Sequence, residues 1–251
     1  MKMTKLYTTV FDEELKSRGF KRKAKLYYRL NGDNLQGVII KAVNPYSIHF
    51  YSAPYWMENI QAELFPLHKG YWAENGSSVD SDLYYREENE QNNFDQMTAC
   101  LTLAKAHILP IMDNMFDLKS YIENCTPSWH GFDGKMGYQV VIKIHPNDID
   151  DKYSYLKDPI SLVWYFWNMY TYSAFLKYAC EEEDLQKGYD LLEEKASLMP
   201  DLWGVKEPAL KDYMEYMIDG GLEKAKQYFD ERRKIMIPRL RDELGLDTFN
   251  L

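Results

Sequence analysis

The chain has 251 residues, of which 45% are hydrophobic and 27% charged, with a net charge of −9. This composition excludes an intrinsically disordered chain, and the length suffices for one large domain or two small ones. Cys100, Cys125 and Cys180 have no Cys-x-x-Cys spacing, which argues against a disulfide framework and predicts free thiols in the reducing cytoplasm.

The charges are unevenly distributed along the chain. Residues 1–70 carry 11 basic and 6 acidic side chains, whereas residues 146–205 carry 5 basic and 12 acidic ones. Binding to a polyanion needs a basic footprint, and only the first of these segments supplies one. The pattern therefore does not favour nucleic acid, and an acidic chain of this kind predicts a basic protein as partner.

The beginning of the chain predicts a helix over 4–18. Its apolar residues Leu6, Phe11 and Leu15 follow a helical spacing. Thr4 is the predicted N-cap, and Gly19 is expected to end the helix.

The apolar period then changes from the helical value to two, which predicts strands over 24–30, 35–43 and 46–53. Asn31-Gly32-Asp33-Asn34 separates the first two strands, and this composition is typical of a tight hairpin turn. We expect an antiparallel meander.

The middle of the chain alternates between strands and helices. A strand is predicted at 83–87, and a helix begins at Asn92 and is expected to bend or end at Pro110. A short helix capped by Asp117 and a strand over 138–145 follow.

Beyond Pro146 the pattern predicts helices only. They cover 158–180, 184–199, a segment opened by Pro208, and 221–243, which contains Pro238. The apolar run 162–180 includes Asn168 and Lys177, which makes it too polar for a membrane span, so we expect a buried helix and no membrane association.

These elements predict an α+β fold. An N-terminal helix and an antiparallel sheet packed by helices are followed by an all-helical C-terminal half. We expect an α+β domain over 1–145 and a helical domain or extension over 146–251 that packs on the first.

The first half of the chain resembles the bacterial family of domain of unknown function 4304. The resemblance covers about residues 1–125 and begins with a helix running into Gly-Phe-Lys-Arg-Lys, followed by a Tyr-Tyr-Arg strand and a strand bearing Gln. The residues that match are Leu15, Lys16, Gly19, Phe20, Lys21, Lys23, Arg29 and Gln36. The later segments Ile108–Asp113 and 120–125 are also similar to the family's closing part.

The resemblance implies a small α+β domain and makes a role in toxin–immunity systems plausible. It implies no agreed active site. Arg29 and Gln36, which match the family pattern, are candidate binding residues.

A basic strip precedes and enters the first strand. It comprises Lys21, Arg22, Lys23 and Lys25. One interpretation is a solvated sheet edge whose charge discourages pairing between molecules. The alternative is a surface that meets an acidic partner, a small anion or a phosphate.

The most site-like loop is Ser128–Tyr138, in which Trp129, His130 and Asp133 lie among three glycines. Glycine lets a backbone approach a ligand closely, and His with Asp could perform acid–base chemistry. The spacing is not that of a phosphate-binding loop. A loop that needs positive φ angles explains the glycines without any function.

No motif indicates a metal or a cofactor. The five histidines lack ligand spacing, and no serine or cysteine has the context of a catalytic nucleophile. The sequence therefore favours a non-enzymatic, cytoplasmic binding protein, of the kind that neutralises a toxin. The alternatives are an enzyme of unknown reaction that uses the loop 128–138 and a small-anion binder that uses the strip 21–29.

Overall fold

A computed structural model describes eight segments of the chain. They are residues 2–41, 46–56, 76–83, 90–125, 139–144, 160–165, 172–197 and 219–249. The predicted helix that opens at Pro208 and the glycine-rich loop 128–138 lie outside the described residues.

Helix α1 spans Met3–Ser17 and ends at Gly19, as predicted. Gly19 has φ +82°. Its N–H donates to the carbonyl of Lys16 (3.0 Å), and the N–H of Phe20 donates to that of Leu15 (3.0 Å). These two bonds form a Schellman motif, which satisfies carbonyls at the helix end and turns Phe20 back onto the core. The predicted N-cap was wrong, because the N-cap residue is Lys2 and not Thr4.

The predicted meander is confirmed and has an additional strand. Strand β1 spans Lys21–Lys23, β2 spans Leu26–Asn31, β3 spans Asn34–Lys41 and β4 spans Tyr46–Pro54. Neighbouring strands pair antiparallel. The short strand β1 was not predicted, because three successive basic residues carry no apolar alternation.

Strands β5 (Gly76–Leu83), β6 (Gln139–Ile144) and β7 (Ile160–Tyr165) complete a seven-stranded sheet. The order is β1-β2-β3-β4-β5-β7-β6, and every neighbouring pair is antiparallel. Of the strand predicted at 83–87, only Leu83 lies within the described residues, where it is the last residue of β5.

The predicted helix over 158–180 was wrong at Ile160–Tyr165, where strand β7 pairs with β5 on one side and β6 on the other. Residues 166–171 lie outside the described part of the chain. A short apolar run is compatible with a buried strand as well as with a buried helix. Here the segment forms a strand because it can pair with a neighbouring strand on each side. The C-terminal half is therefore not all-helical. The sheet takes one strand from beyond residue 145, and the division into two domains stays a prediction.

The first group of helices covers one face of the sheet. Helix α2 (Glu90–Leu103) continues through a π-helical turn, Ala104–Ile108, into α3 (Leu109–Asn114). Pro110 lacks an N–H and its ring would collide with the carbonyl four residues earlier, so the wider turn lets the helix continue. With α1, these helices bury a cluster that includes Tyr27, Val38 and Phe50 of the sheet.

A second group covers the opposite face. It consists of α4 (Leu118–Cys125), α5 (Tyr172–Glu181), α6 (Leu185–Ser197) and α7 (Gly221–Leu244), which passes through Pro238. They bury a second cluster with Leu26, Tyr28 and Leu35 of the sheet. Full burial of one such side chain stabilises a fold by about 1.5–3 kcal/mol. The fold is α+β, with the sheet between two helical layers.

The predicted Asp117 cap of α4 is confirmed, and the predicted start of α7 at residue 221 is confirmed as well. The N–H of Ser120 donates to Asp117 Oδ1 (2.7 Å). Helix α7 begins directly after Gly220, which has φ +109°.

Two glycines with positive φ allow a matched test of the hairpin. A Cβ on Gly32 (φ +55°) would lie 1.9 Å from the carbonyl oxygen of Phe116, whereas a Cβ on Gly19 would meet nothing within 4 Å. We expect Gly19→Ala to lower the free energy of unfolding by about 1–2 kcal/mol, from backbone strain alone. Gly32→Ala should cost more than about 2–3 kcal/mol, because the carbonyl must also move and lose its hydrogen bond. Urea unfolding measures both, and equal losses would contradict the predicted clash.

Candidate functional site

Two of the predicted site residues lie opposite each other in the sheet. Arg29 on β2 pairs in register with Gln36 on β3. Both side chains are buried, with relative exposures of 9% and 0%. Arg29 Nε donates to Gln36 Oε1 (2.8 Å). The antiparallel pairing of β2 and β3 thus brings these two candidate residues into direct contact.

Arg29 has several further partners inside the protein. Its Nη1 donates to the carbonyl of Arg18 (2.6 Å) and its Nη2 to Asp113 Oδ1 (2.6 Å). The guanidinium lies 4.4 Å from the ring centroid of Phe20, a cation–π distance. Burial lowers the pKa of Arg29, and Asp113 opposes this by stabilising its charge.

The amide of Gln36 holds the segment that connects the two helical layers. Its Nε2 donates to the carbonyls of Met112 (2.6 Å) and Met115 (3.3 Å). Asn31 Nδ2 donates to the same two carbonyls, at 3.2 and 3.0 Å. Gln36 and Asn31 are called the amide clamp below. Because a buried carbonyl without a partner costs about 1–3 kcal/mol, the clamp stabilises this crossing.

A chain of ion pairs extends from Arg29 to the surface. Glu14 accepts bonds from Lys105 (2.7 Å) and Arg18 (2.7 Å), and Arg18 also bonds Asp113. Burial alone would raise the pKa of Glu14, but the bonds from Lys105 and Arg18 outweigh it and lower that pKa. Helix α1 is thereby tied to the helices of its own layer.

The structure gives Arg29 and Gln36 internal partners, and their role in binding a ligand stays a prediction. The other three predicted site residues, Trp129, His130 and Asp133, lie outside the described residues. The described arrangement is a buried scaffold of hydrogen bonds and ion pairs.

The basic strip lies mostly on the edge strand of the sheet. Lys21, Arg22 and Lys23 are exposed on β1, and Lys25 is half-buried in the turn that follows. Arg22 pairs with Asp12 (2.9 Å), while Lys21 donates to the carbonyl of Gly245. A short, charged edge strand discourages pairing with other chains, which fits the interpretation of a solvated edge.

Sequence reasoning missed a cluster of titratable groups at the tip of the β2–β3 hairpin. The N–H of Tyr55, just after β4, donates to the carbonyl of Asp33 (2.9 Å). Burial raises the pKa of Tyr55, and the charge of Arg233 on α7 opposes this rise. Neighbouring Arg232 donates from Nε to the carbonyl of Trp56 (3.0 Å). This bond attaches α7 to the end of the sheet.

The carboxyl group of Asp33 in this cluster has a raised pKa. Burial raises its pKa first, and the charges of Glu181 and Asp117 raise it further, whereas Arg233 and Lys177 oppose the rise. Its ionised form therefore destabilises the fold near neutral pH. The sequence identified Asp33 only as a turn residue, because its partners on α5 and α7 lie far along the chain and no periodicity connects them.

In the part of the chain that the structure describes, no three His, Cys, Asp or Glu side chains are grouped to hold a metal ion. None of the described helices combines the length and apolarity that a membrane crossing requires.

Comparison with known proteins identifies no relative. The chain matches no protein-family model, no curated protein and no solved structure. The resemblance to the domain of unknown function 4304 family therefore stays a prediction.

The amide clamp can be tested by a substitution of similar size. Gln36→Leu removes the donors to the carbonyls of Met112 and Met115 and the acceptor for Arg29. We expect the free energy of unfolding to fall by about 2–4 kcal/mol, measured by urea unfolding. Lys23→Ala on exposed β1 is the control and should change it by less than about 0.5 kcal/mol. An unchanged midpoint for Gln36→Leu would show that the clamp does not stabilise the fold.

The pKa values of Asp33 and Glu14 are shifted in opposite directions, which predicts opposite effects of pH on stability. The pKa of Asp33 is raised above 3.8 in the folded state, so its ionisation lowers stability as pH rises. Asp33→Asn should therefore raise the free energy of unfolding near neutral pH, with the gain shrinking as pH falls through the raised pKa and absent below 3.8. The pKa of Glu14 is lowered from 4.5, so its stabilisation is present above that pH and is lost as pH falls through the lowered value.

Glu14→Gln should thus lower stability near neutral pH and converge on the parent protein in acid. Urea unfolding across this pH range measures both variants. Effects of the same sign would contradict one of the two pKa directions.

Proposed function

We propose that this protein is a non-enzymatic binding protein that covers the basic surface of a protein partner. The observation that carries the proposal is the acidic turn between α5 and α6, defined here as residues 181–184. Its four successive carboxylates are all exposed. They belong to a chain with a net charge of −9, so this part of the surface fits a cationic partner.

The backbone of the acidic turn is well ordered by hydrogen bonds. The N–H of Glu182 donates to the carbonyl of Tyr178 (3.0 Å), and that of Asp184 to the carbonyl of Ala179 (3.0 Å). Asp184 also caps α6 through the N–H of Gln186 (2.9 Å). A turn that is already ordered loses little entropy when a partner binds.

The carboxylates of the turn have exchangeable partners. Glu182 pairs with Lys187 (2.6 Å), and Glu183, whose side chain is 78% exposed, pairs with Lys226 (3.1 Å). Such exposed ion pairs contribute at most about 1 kcal/mol each, so cations of a partner can replace them. Complementary charge would speed the encounter more than it would raise affinity.

The sequence resemblance supports an immunity-type role, in which the protein neutralises a cytoplasmic toxin by steric and electrostatic occlusion of its active cleft. Tyrosine and tryptophan side chains commonly anchor such contacts. Tyr7, Tyr27 and Tyr121 are fully buried in the core, so these three cannot serve as the anchor.

The contacts of the basic strip do not favour the small-anion alternative. Arg29 is engaged by Asp113 and Arg22 by Asp12, so carboxylates already offset two of the charges that an anion would use.

Capture from an extract of the native cell tests the proposal. The tagged full chain is incubated at low and moderate salt, and bound proteins are identified by mass spectrometry. We expect one stoichiometric basic protein that is released as salt rises, because the contact is largely electrostatic. No captured protein at either salt concentration would overturn the proposed function.

A neutralised variant adds a matched control. The combination Glu182→Gln, Glu183→Gln and Asp184→Asn removes three charges while asparagine keeps the helix cap. It should reduce capture about tenfold or more. Glu13→Gln, Asp230→Asn and Glu231→Gln remove three charges elsewhere and should leave capture nearly unchanged.

A further inference from the structure

Phe116 is an exposed aromatic residue whose backbone contacts the tip of the β2–β3 hairpin. It lies between α3 and α4, and its relative exposure is 54%. Asp117 follows Phe116 in the chain, and the backbone of Asp33 contacts that of Phe116. Both aspartates are half-buried. Phe116, Asp33 and Asp117 are called the hairpin-tip surface.

The backbone of Phe116 is held on both sides. Its carbonyl accepts the N–H of Asp33 (2.8 Å), and its own N–H donates to Ser120 Oγ (3.0 Å). Gly32 makes this approach possible, since any Cβ there would overlap the Phe116 carbonyl. An aromatic ring presented from a fixed backbone costs little ordering entropy on binding, which is typical of an interface anchor.

Among the described residues, the charged groups around the hairpin-tip surface are three carboxylates (Asp33, Asp117 and Glu181) and two cations (Arg233 and Lys177). Asp33 is repelled by Asp117 and Glu181. The charges of Arg233 and Lys177 oppose this repulsion, but Lys177 also binds Glu181 (2.9 Å), so its charge is shared between two carboxylates. A cation from outside would relieve the repulsion between Asp33 and Asp117.

We propose that the hairpin-tip surface is the docking surface for a basic protein, which receives Phe116 in an apolar pocket and places Lys or Arg against Asp33 and Asp117. This inference rests on the proposed function and adds an anchor next to the acidic turn, because Glu181 of that turn lies close enough to Asp33 for its charge to raise the pKa of Asp33. A second copy of this chain is a poor occupant, because two identical tips would bring four carboxylates together.

A library of random short peptides displayed on phage is the probe, selected against the full chain at low salt. We expect the enriched peptides to combine Lys or Arg with large apolar residues. Their affinity, measured by fluorescence anisotropy, should fall about tenfold or more in Phe116→Ala, since a central anchor is a binding hot spot. Phe94→Ala is the matched control, because Phe94 is 38% exposed but lies on α2, and it should not change affinity.

Asp33→Asn supplies a readout that a structural role alone would not give. It should weaken peptide binding while raising the stability of the free protein, because the same carboxylate that serves the partner destabilises the unbound fold. Weaker binding together with lower stability would point to a loss of structure and would contradict the inference.

The outcomes separate this inference from the proposed function. Enrichment of acidic peptides, no enrichment, or unchanged affinity in Phe116→Ala would overturn the docking surface. A basic protein captured equally by the parent chain and by Phe116→Ala would overturn it too, and the binding function would stand. If the native extract yields no protein at all, both the function and the surface are overturned.

Discussion

The buried and half-buried hydrogen bonds between the β2–β3 hairpin and the carbonyls of residues 112–115 are the constraint on which the rest of the structure depends. Here the chain passes from one helical layer to the other, since Met112 belongs to the first core cluster and Met115 to the second. Backbone groups at such a crossing are away from water and need partners. Gln36 and Asn31 provide them, with Arg29 holding Gln36 in place.

The same constraint places the surface that we assign to binding. Once the crossing segment is attached to the hairpin, Phe116 is fixed next to Asp33, and α4 begins at a cap formed by Asp117. The hydrogen bonds of the crossing segment therefore determine where Phe116 and Asp33 lie on the surface. An ionised Asp33 that destabilises the fold is consistent with a residue retained for contact with a partner.

The sequence predicted the elements whose signals are local. The Schellman end of α1, the hairpin at Gly32 and the Asp117 cap all follow from short patterns of residue types. It failed at β7, where the run 160–165 is apolar without a clear period, and at β1, whose basic residues show no alternation. In both places, pairing with a neighbouring strand outweighed local preference.

By itself, the sequence determined the α+β class, most element boundaries and the acidity of the molecule, because periodicity, turn residues and charge are properties of neighbouring positions. Only the tertiary structure decided what Arg29 and Gln36 contact, and that Asp33 meets Glu181 and Arg233. Burial and long-range contact change the pKa and the hydrogen-bond partners of a side chain without changing its identity. No pattern of nearby residues encodes them.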